Sequence, residues 1–254
     1  MWHWQTTELG EFLTCDLLSP FRHGFFSRAW QGQPLATLTA ALGTSAMPLR
    51  TQQVHGNRVV LASDVLAAPN RLEADALVST EVNQALWVCS ADCVPLLIGD
   101  PVTGQVAAIH AGWRGTAAEV AKQTITQMQA LGSKLAHLRV VLGPAIRGDV
   151  YQVGLNVAYA LAATVTPQVE ATMTAAALYE CLAALDAAVA FPDPDPQRLR
   201  VDVARVNWLQ LRQLGLAEGQ MAVSPYCTYR DTAFFFSYRR ERQKQVQWSG
   251  IISR

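Results

Sequence analysis

The chain contains no apolar run of about 18 residues, the length needed to span a bilayer. Its opening segment, MWHWQTTELGEF, has no basic stretch followed by an apolar one, as a secretory signal requires. A membrane span and a secretory leader are therefore not expected, and the sequence reads as cytoplasmic. An excess of charge is missing too: Lys+Arg and Asp+Glu each number 20, and no basic block stands out, so a nucleic-acid backbone is not the expected partner. A few arginines could still hold a small substrate with one or two anionic groups. Cysteine is sparse, odd in number and scattered, at Cys15, Cys89, Cys93, Cys181 and Cys227. That excludes the dense disulfide framework of a small secreted domain and leaves free thiols or metal ligands.

Internal repeats and low-complexity tracts are absent, while half of the 254 residues are hydrophobic, enough for a substantial core. The segments ALWVCSADCVPLLIGD, QVAAIHAGW and LRVVLGPAI are rich in Val, Leu and Ile between polar turns, and read as buried strands. Helix is expected after HAGWRG, where Val120, Ile125 and Met128 recur at helical spacing, with Thr116 as the cap and Gly132 as the stop. Further helices are expected over GLNVAYALAATV, the Ala-rich TAAALYECLAALDAAVAF and VARVNWLQLRQLGL, with FPDPDPQ as an exposed loop over 191–197. Strands on both sides of the helical region favour one α+β domain over 1–254, a mixed β-sheet core flanked by helices.

Three residues carry the strongest chemistry. His55 lies in TQQVHGNRVV, where Gly56 and Asn57 suggest a tight turn at a strand end. Cys93 lies in CSADCVPLL beside Asp92, with Cys89 four residues earlier; strand alternation would put the two thiols on one face, and Cys93 is the preferred ligand. His110 opens HAGWRG, in which a strand would deliver an imidazole to a loop holding two glycines, Trp113 and Arg114 before a helix begins. Each has an ordinary reading: a hydrogen-bonded surface histidine, a buried thiol, a tight strand-to-helix connection. Together, two imidazoles and a thiolate suit tetrahedral zinc with a fourth position open to water or substrate, and hence catalysis. Copper is the alternative metal.

At these residues the chain resembles the YfiH-like laccase-domain family, whose members are also called purine nucleoside phosphorylase or polyphenol oxidase family proteins. The ordered motifs are HGFFSR from residue 23, QVHG at 53–56, ADALVS at 74–79, SADCVP at 90–95, HAGWRG at 110–115, GPAI from 143, YQVG from 151, CT at 227 and FFSYRR at 235–240. The resemblance implies the family fold and zinc on His55, Cys93 and His110. It also implies phosphorolysis of adenosine, guanosine, inosine and methylthioadenosine to the base and the (methylthio)ribose 1-phosphate, together with deamination of adenosine. The segment YRRERQKQVQWSGII departs from the family pattern, so contacts made by that tail are not carried over.

Purine nucleosides and inorganic phosphate are then the expected partners. Deamination at C6 of adenine needs a metal-activated water and a proton shuttle, for which Asp75 and Asp92 are the candidates. Phosphorolysis needs phosphate held against C1′ of the ribose, a task for Arg114 first, then Arg28 and Arg239. Gln53 is a candidate contact to the base, or else a side chain bonded to backbone. Trp87, Trp113 and Tyr229 are candidates for purine stacking, or else core. Three other functions stay open: a copper-dependent polyphenol oxidase, for which five histidines are too few to build several copper sites; a metal-free cysteine hydrolase with Cys93 as nucleophile and His110 as base; and a binding protein without turnover.

Overall fold

The computed structural model describes all residues, 1–254. Two six-stranded mixed sheets stack face to face, and a small three-stranded sheet lies beside the helices. In the first large sheet the strand order is Trp2–Thr7, Gly10–Cys15, His23–Phe26, Gln247–Ile252, Gln84–Ser90 and Met47–Leu49. In the second it is Met221–Val223, Arg139–Leu142, Val94–Gly99, Val106–Ala111, Ala76–Val78 and Val59–Leu61. Neighbours in the middle of both sheets run antiparallel, and parallel pairs lie at the edges.

Alternation along the strands builds three apolar layers. In the second sheet, Leu96, Ile98, Val140 and Leu142 face the helices, whereas Leu97, Ala108 and Val141 face the first sheet. In the first sheet, Leu86, Val88 and Ile251 point into that shared layer, while Ala85, Trp87 and Ile252 point outward onto the helix Leu35–Ala41. Both faces of the central strands are therefore covered, which explains why their sequences are continuous apolar runs instead of alternating ones. Each leucine buried this way contributes about 1.5–3 kcal/mol. The helices Val120–Ala130 and Val203–Leu214 cover the far face of the second sheet, and Leu155–Ala162 and Ala175–Leu185 pack beyond them against the small sheet. No helix is long and apolar enough to cross a membrane.

Mixed sheets flanked by helices agree with the expected fold class, and the structure corrects several local expectations. Val120, Ile125 and Met128 are buried as their spacing predicts, and Gly132 ends the segment with a φ of +101°. Thr116, however, does not cap that helix. It sits inside the separate short helix Trp113–Ala117, where its hydroxyl accepts from the Asn207 amide at 2.8 Å; the longer helix starts after Glu119, whose φ is +58°. The Ala-rich helix stops at Leu185, because Ala190–Phe191 pairs with Arg198–Val201 across the proline-rich loop.

The segment ALWVCSADCVPLLIGD is two strands and not one. Gln84–Ser90 belongs to the first sheet and Val94–Gly99 to the second, so strand alternation relates Cys89 to Cys93 in no way. Gln247–Ile252, inside the tail that departs from the family pattern, fills the middle of the first sheet between His23–Phe26 and Gln84–Ser90. Within it Gly250 lies opposite Trp87, and a Cβ there would fall 2.6 Å from the indole. Gly250→Ala is therefore expected to cost about 1–3 kcal/mol by overpacking. A urea unfolding curve with a lower midpoint and an unchanged slope is the expected result.

Candidate metal centre

The three candidate ligands meet because the chain changes sheets twice at one end of the sandwich. His55 lies on the crossing from Met47–Leu49 in the first sheet to Val59–Leu61 in the second. Cys93 lies on the crossing from Gln84–Ser90 to Val94–Gly99. His110 comes from Val106–Ala111, which pairs with Val94–Gly99 in a register that sets Pro95 opposite His110 and Val94 opposite Ala111. One ligand atom from each of the three residues lies within 4.8 Å of the others, and the two imidazole rings meet edge to face at 4.8 Å between centroids.

One carboxylate organises two of these side chains. Asp75 is fully buried and accepts the His110 Nδ1–H at 2.8 Å, while its backbone carbonyl accepts the His110 N–H, also at 2.8 Å. The same carboxylate takes the backbone N–H groups of Val54, His55 and Gly56 at 3.2, 3.0 and 2.7 Å. The turn that carries His55, at a φ of +60°, is thereby held by an acid from a neighbouring strand end. Burial alone would raise the Asp75 pKa, yet the His110 hydrogen bond and the backbone donors of Gly56 and Val54 hold it below the usual carboxylate range. With Nδ1–H committed to Asp75, His110 turns its Nε2 lone pair toward Cys93 and His55, the tautomer that a carboxylate imposes on a metal-binding histidine.

Asp92 acts on the third ligand's turn. Its φ is +87°, its carboxylate accepts the Thr228 hydroxyl and the Arg239 backbone N–H, both at 2.7 Å, and its carbonyl accepts the Ile146 N–H at 3.0 Å. Gly112 closes the cradle: a Cβ there would lie 2.9 Å from the Cys93 sulfur and 3.2 Å from the His55 ring. Any side chain would fill the space between the ligands, so the turn requires glycine. In the metal-free protein burial raises the Cys93 thiol, but hydrogen bonds and charge from His110 and His55 outweigh it and bring the thiol down to about 7. Burial lowers His110, but Asp75 and Cys93 raise it to about 9. A thiolate close to neutral pH, two converging imidazoles and space between them fit a soft or borderline divalent metal.

The other predicted residues divide by what they touch. Arg114 follows Trp113, and its guanidinium lies 4.4 Å from that ring with no carboxylate partner. Arg239 stacks on Tyr151 at 4.6 Å and donates to the Gln152 carbonyl at 2.8 Å. Arg28 donates to the Thr232 carbonyl at 2.8 Å, reaches Glu241 at 3.4 Å and stacks on Phe236 at 4.5 Å. Gln53 pairs both ends of its amide with the Cys89 backbone, at 2.7 and 2.8 Å. Trp87 is fully buried and donates to the Thr39 hydroxyl at 3.2 Å. Cys89 does not join the ligand cluster, and burial pushes its thiol up to about 11.

Tyr151 is a site residue that motif reading passed over, although YQVG was in view. Burial, followed by the negative charges of Cys93 and Asp92, pushes its phenol up to about 12, against the pull of Arg239 and Arg114. It thus stands in the field of the cluster, a position that only folding creates.

The double sheet and the His-Cys-His cluster define a protein with one compact set of candidate metal ligands at the end of a β-sandwich. Residues 33–253 match the family described as multi-copper polyphenol oxidoreductase laccase, and the chain belongs to that family. A purine nucleoside phosphorylase of Synechocystis is 43% identical over 258 residues, covering 100% of this chain and 97% of its own length. A purine nucleoside phosphorylase of Deinococcus radiodurans is 36% identical, covering 85% of this chain and 74% of that relative. The crystal structure of YlmD from Geobacillus stearothermophilus shares the fold at a TM-score of 0.81, with 23% identity and coverage of 99% and 98% of the two chains.

Asp75→Asn removes the charge that orients His110 while keeping the side-chain shape. It is expected to weaken metal binding about 10–100-fold, measured with zinc as the probe in competition with a chelating dye. Circular dichroism should show the native secondary structure retained.

Proposed function

We propose that this protein is a zinc-dependent purine nucleoside enzyme. It would convert adenosine, guanosine, inosine or methylthioadenosine, with phosphate, into the free base and ribose 1-phosphate or its methylthio counterpart, and would deaminate adenosine with water to inosine and ammonia. The observation that carries this reading is the single His55, Cys93 and His110 cluster in a chain whose relatives are named purine nucleoside phosphorylases. Zinc held there would supply Lewis-acid polarisation of an oxygen or nitrogen at the open position.

The protein's own groups then have distinct tasks. Arg114 has no acid partner and is the first choice to receive phosphate, offering paired donors for two oxygens. Arg239, braced by Tyr151 and the Gln152 carbonyl, is the second choice. Arg28, shared among Thr232, Glu241 and Phe236, is the third, and using it would break existing contacts. In phosphorolysis a phosphate oxygen bonds to C1′ as the C1′–N bond breaks, and the departing base takes up a proton. Tyr151 braces Arg239 through its ring, and its phenol, held up by burial, stays protonated at neutral pH. Asp75 is a positioning residue for His110 and the His55 turn, and Asp92 for the Cys93 turn, because hydrogen bonds already occupy both carboxylates. Gln53 supports the strand end at Cys89 in the same manner.

The remaining histidines argue against a many-copper oxidase. His3 pairs with Asp16, His23 is buried between the Cys15 N–H and the Phe21 carbonyl, and His137 faces Asp100, so none joins a second cluster. Four-electron reduction of dioxygen has no set of sites here to draw on.

A second reading, the metal-free cysteine hydrolase, has one observation in its favour: Asp75, His110 and Cys93 form an acid, base and thiol series. His55 aimed at the same sulfur is what such a hydrolase does not need.

The test is chromatography of products from inosine and adenosine, with and without phosphate, using metal-quantified protein. Phosphate-dependent hypoxanthine and adenine are expected, with turnover and zinc lost together in Cys93→Ala. Turnover that survives complete chelation would instead select the hydrolase. Activity restored by copper but not by zinc would select the oxidase.

A further inference from the structure

An open cleft of about 650 Å³ lies on the side of the first sheet that carries the helix Leu35–Ala41. It shares no residue with the metal centre, and no carboxylate lines it. Its polar wall contains Arg50, Arg71, Asn70 and Gln33, and its apolar wall includes Pro48 and Trp248. Elsewhere in the chain Arg147, Arg200, Arg205 and Arg230 are each paired with an aspartate. Arg50 and Arg71 are paired with none, and both line the same cleft. Burial first and Arg71 second make it harder for Arg50 to keep its charge. Two cationic side chains lining one cleft without a counter-ion favour a bound anion.

The geometry favours an anion with an attached body over a free ion. Arg50 lies with its guanidinium carbon 5.3 Å from the Trp248 ring centroid, so one face is covered while its in-plane N–H donors remain available. The volume falls within the range of about 300–1,000 Å³ usual for small-molecule sites and is far larger than one phosphate needs. Asn70 and Gln33 add neutral donors and acceptors for hydroxyl or ring groups.

We infer that this cleft binds a phosphate monoester dianion of sugar-phosphate to nucleotide size, with Arg50 and Arg71 on the phosphate and the ligand body along Pro48 and Trp248. Its two cationic side chains match the two negative charges of such an ester, and the site stands apart from the cluster of His55, Cys93 and His110.

Calorimetry and tryptophan fluorescence on metal-loaded protein test this with AMP, ribose 5-phosphate and adenosine as probes. Saturable binding of a phosphate ester is expected, weakened about tenfold or more by Arg50→Gln and by Arg71→Gln and partly restored in Arg50→Lys. Adenosine binding, metal content and nucleoside turnover should be unchanged in all three variants. Tighter binding of AMP would identify a nucleotide as the ligand, and equal binding a sugar phosphate. Arg71 is exposed, so Arg71→Gln keeps the test meaningful even if altering Arg50 disturbs Trp248. Absence of saturable binding, or binding that persists in the Arg50→Gln, Arg71→Gln double variant, overturns the inference. Both outcomes are read from binding and are independent of whether the metal centre turns over nucleosides.

Discussion

A fully buried carboxylate, Asp75, is the interaction on which the centre depends. Placing a charge in a dry interior is costly unless every lone pair finds a donor. Here the donors are the His110 imidazole and three successive backbone amides, those of Val54, His55 and Gly56. Satisfying the carboxylate therefore does two structural jobs at once. It selects the His110 tautomer that leaves Nε2 free, and it pins a left-handed turn that would otherwise be loose.

The sandwich makes that arrangement available. Covalent crossings between stacked sheets occur only at the sheet ends, and two of them, carrying His55 and Cys93, fall at the end where Val106–Ala111 delivers His110. The apolar layer between the sheets fixes their separation, and so fixes how far apart the crossing turns can lie. Gly112 then leaves the central volume free. Asp92 extends the same logic to the C-terminal part of the chain by tying the Cys93 turn to Thr228 and the Arg239 backbone.

Much of this was legible from local pattern. Helical spacing located Val120–Ala130 and Val203–Leu214, and apolar runs located the central strands, because those signals depend on a few neighbouring residues. The misreadings share one cause. A three-residue connection at Ala91–Cys93 that moves the chain between sheets looks, in one dimension, like an interruption within a strand. Thr116 has the chemistry of a cap, but Asn207, 91 residues away, claims its hydroxyl inside a helix. Gln53, by contrast, follows one of its two readings, a side chain bonded to backbone, with Cys89, 36 residues away, using both ends of its amide. The strand Gln247–Ile252 is central although its segment departs from the expected motif.

The sequence by itself determined the buried apolar strands, the helix that follows HAGWRG, and a supply of two imidazoles and one thiol suited to a single metal. Those follow from side-chain chemistry and short-range periodicity. Tertiary structure alone decided that Asp75 orients instead of standing free, that Tyr151 enters the field of Cys93, that Cys89 stays out of the cluster, and that Arg50 and Arg71 share a cleft with no acid. Those depend on which distant segments the packed layers bring together, and a linear order of residues carries no distances across a sheet.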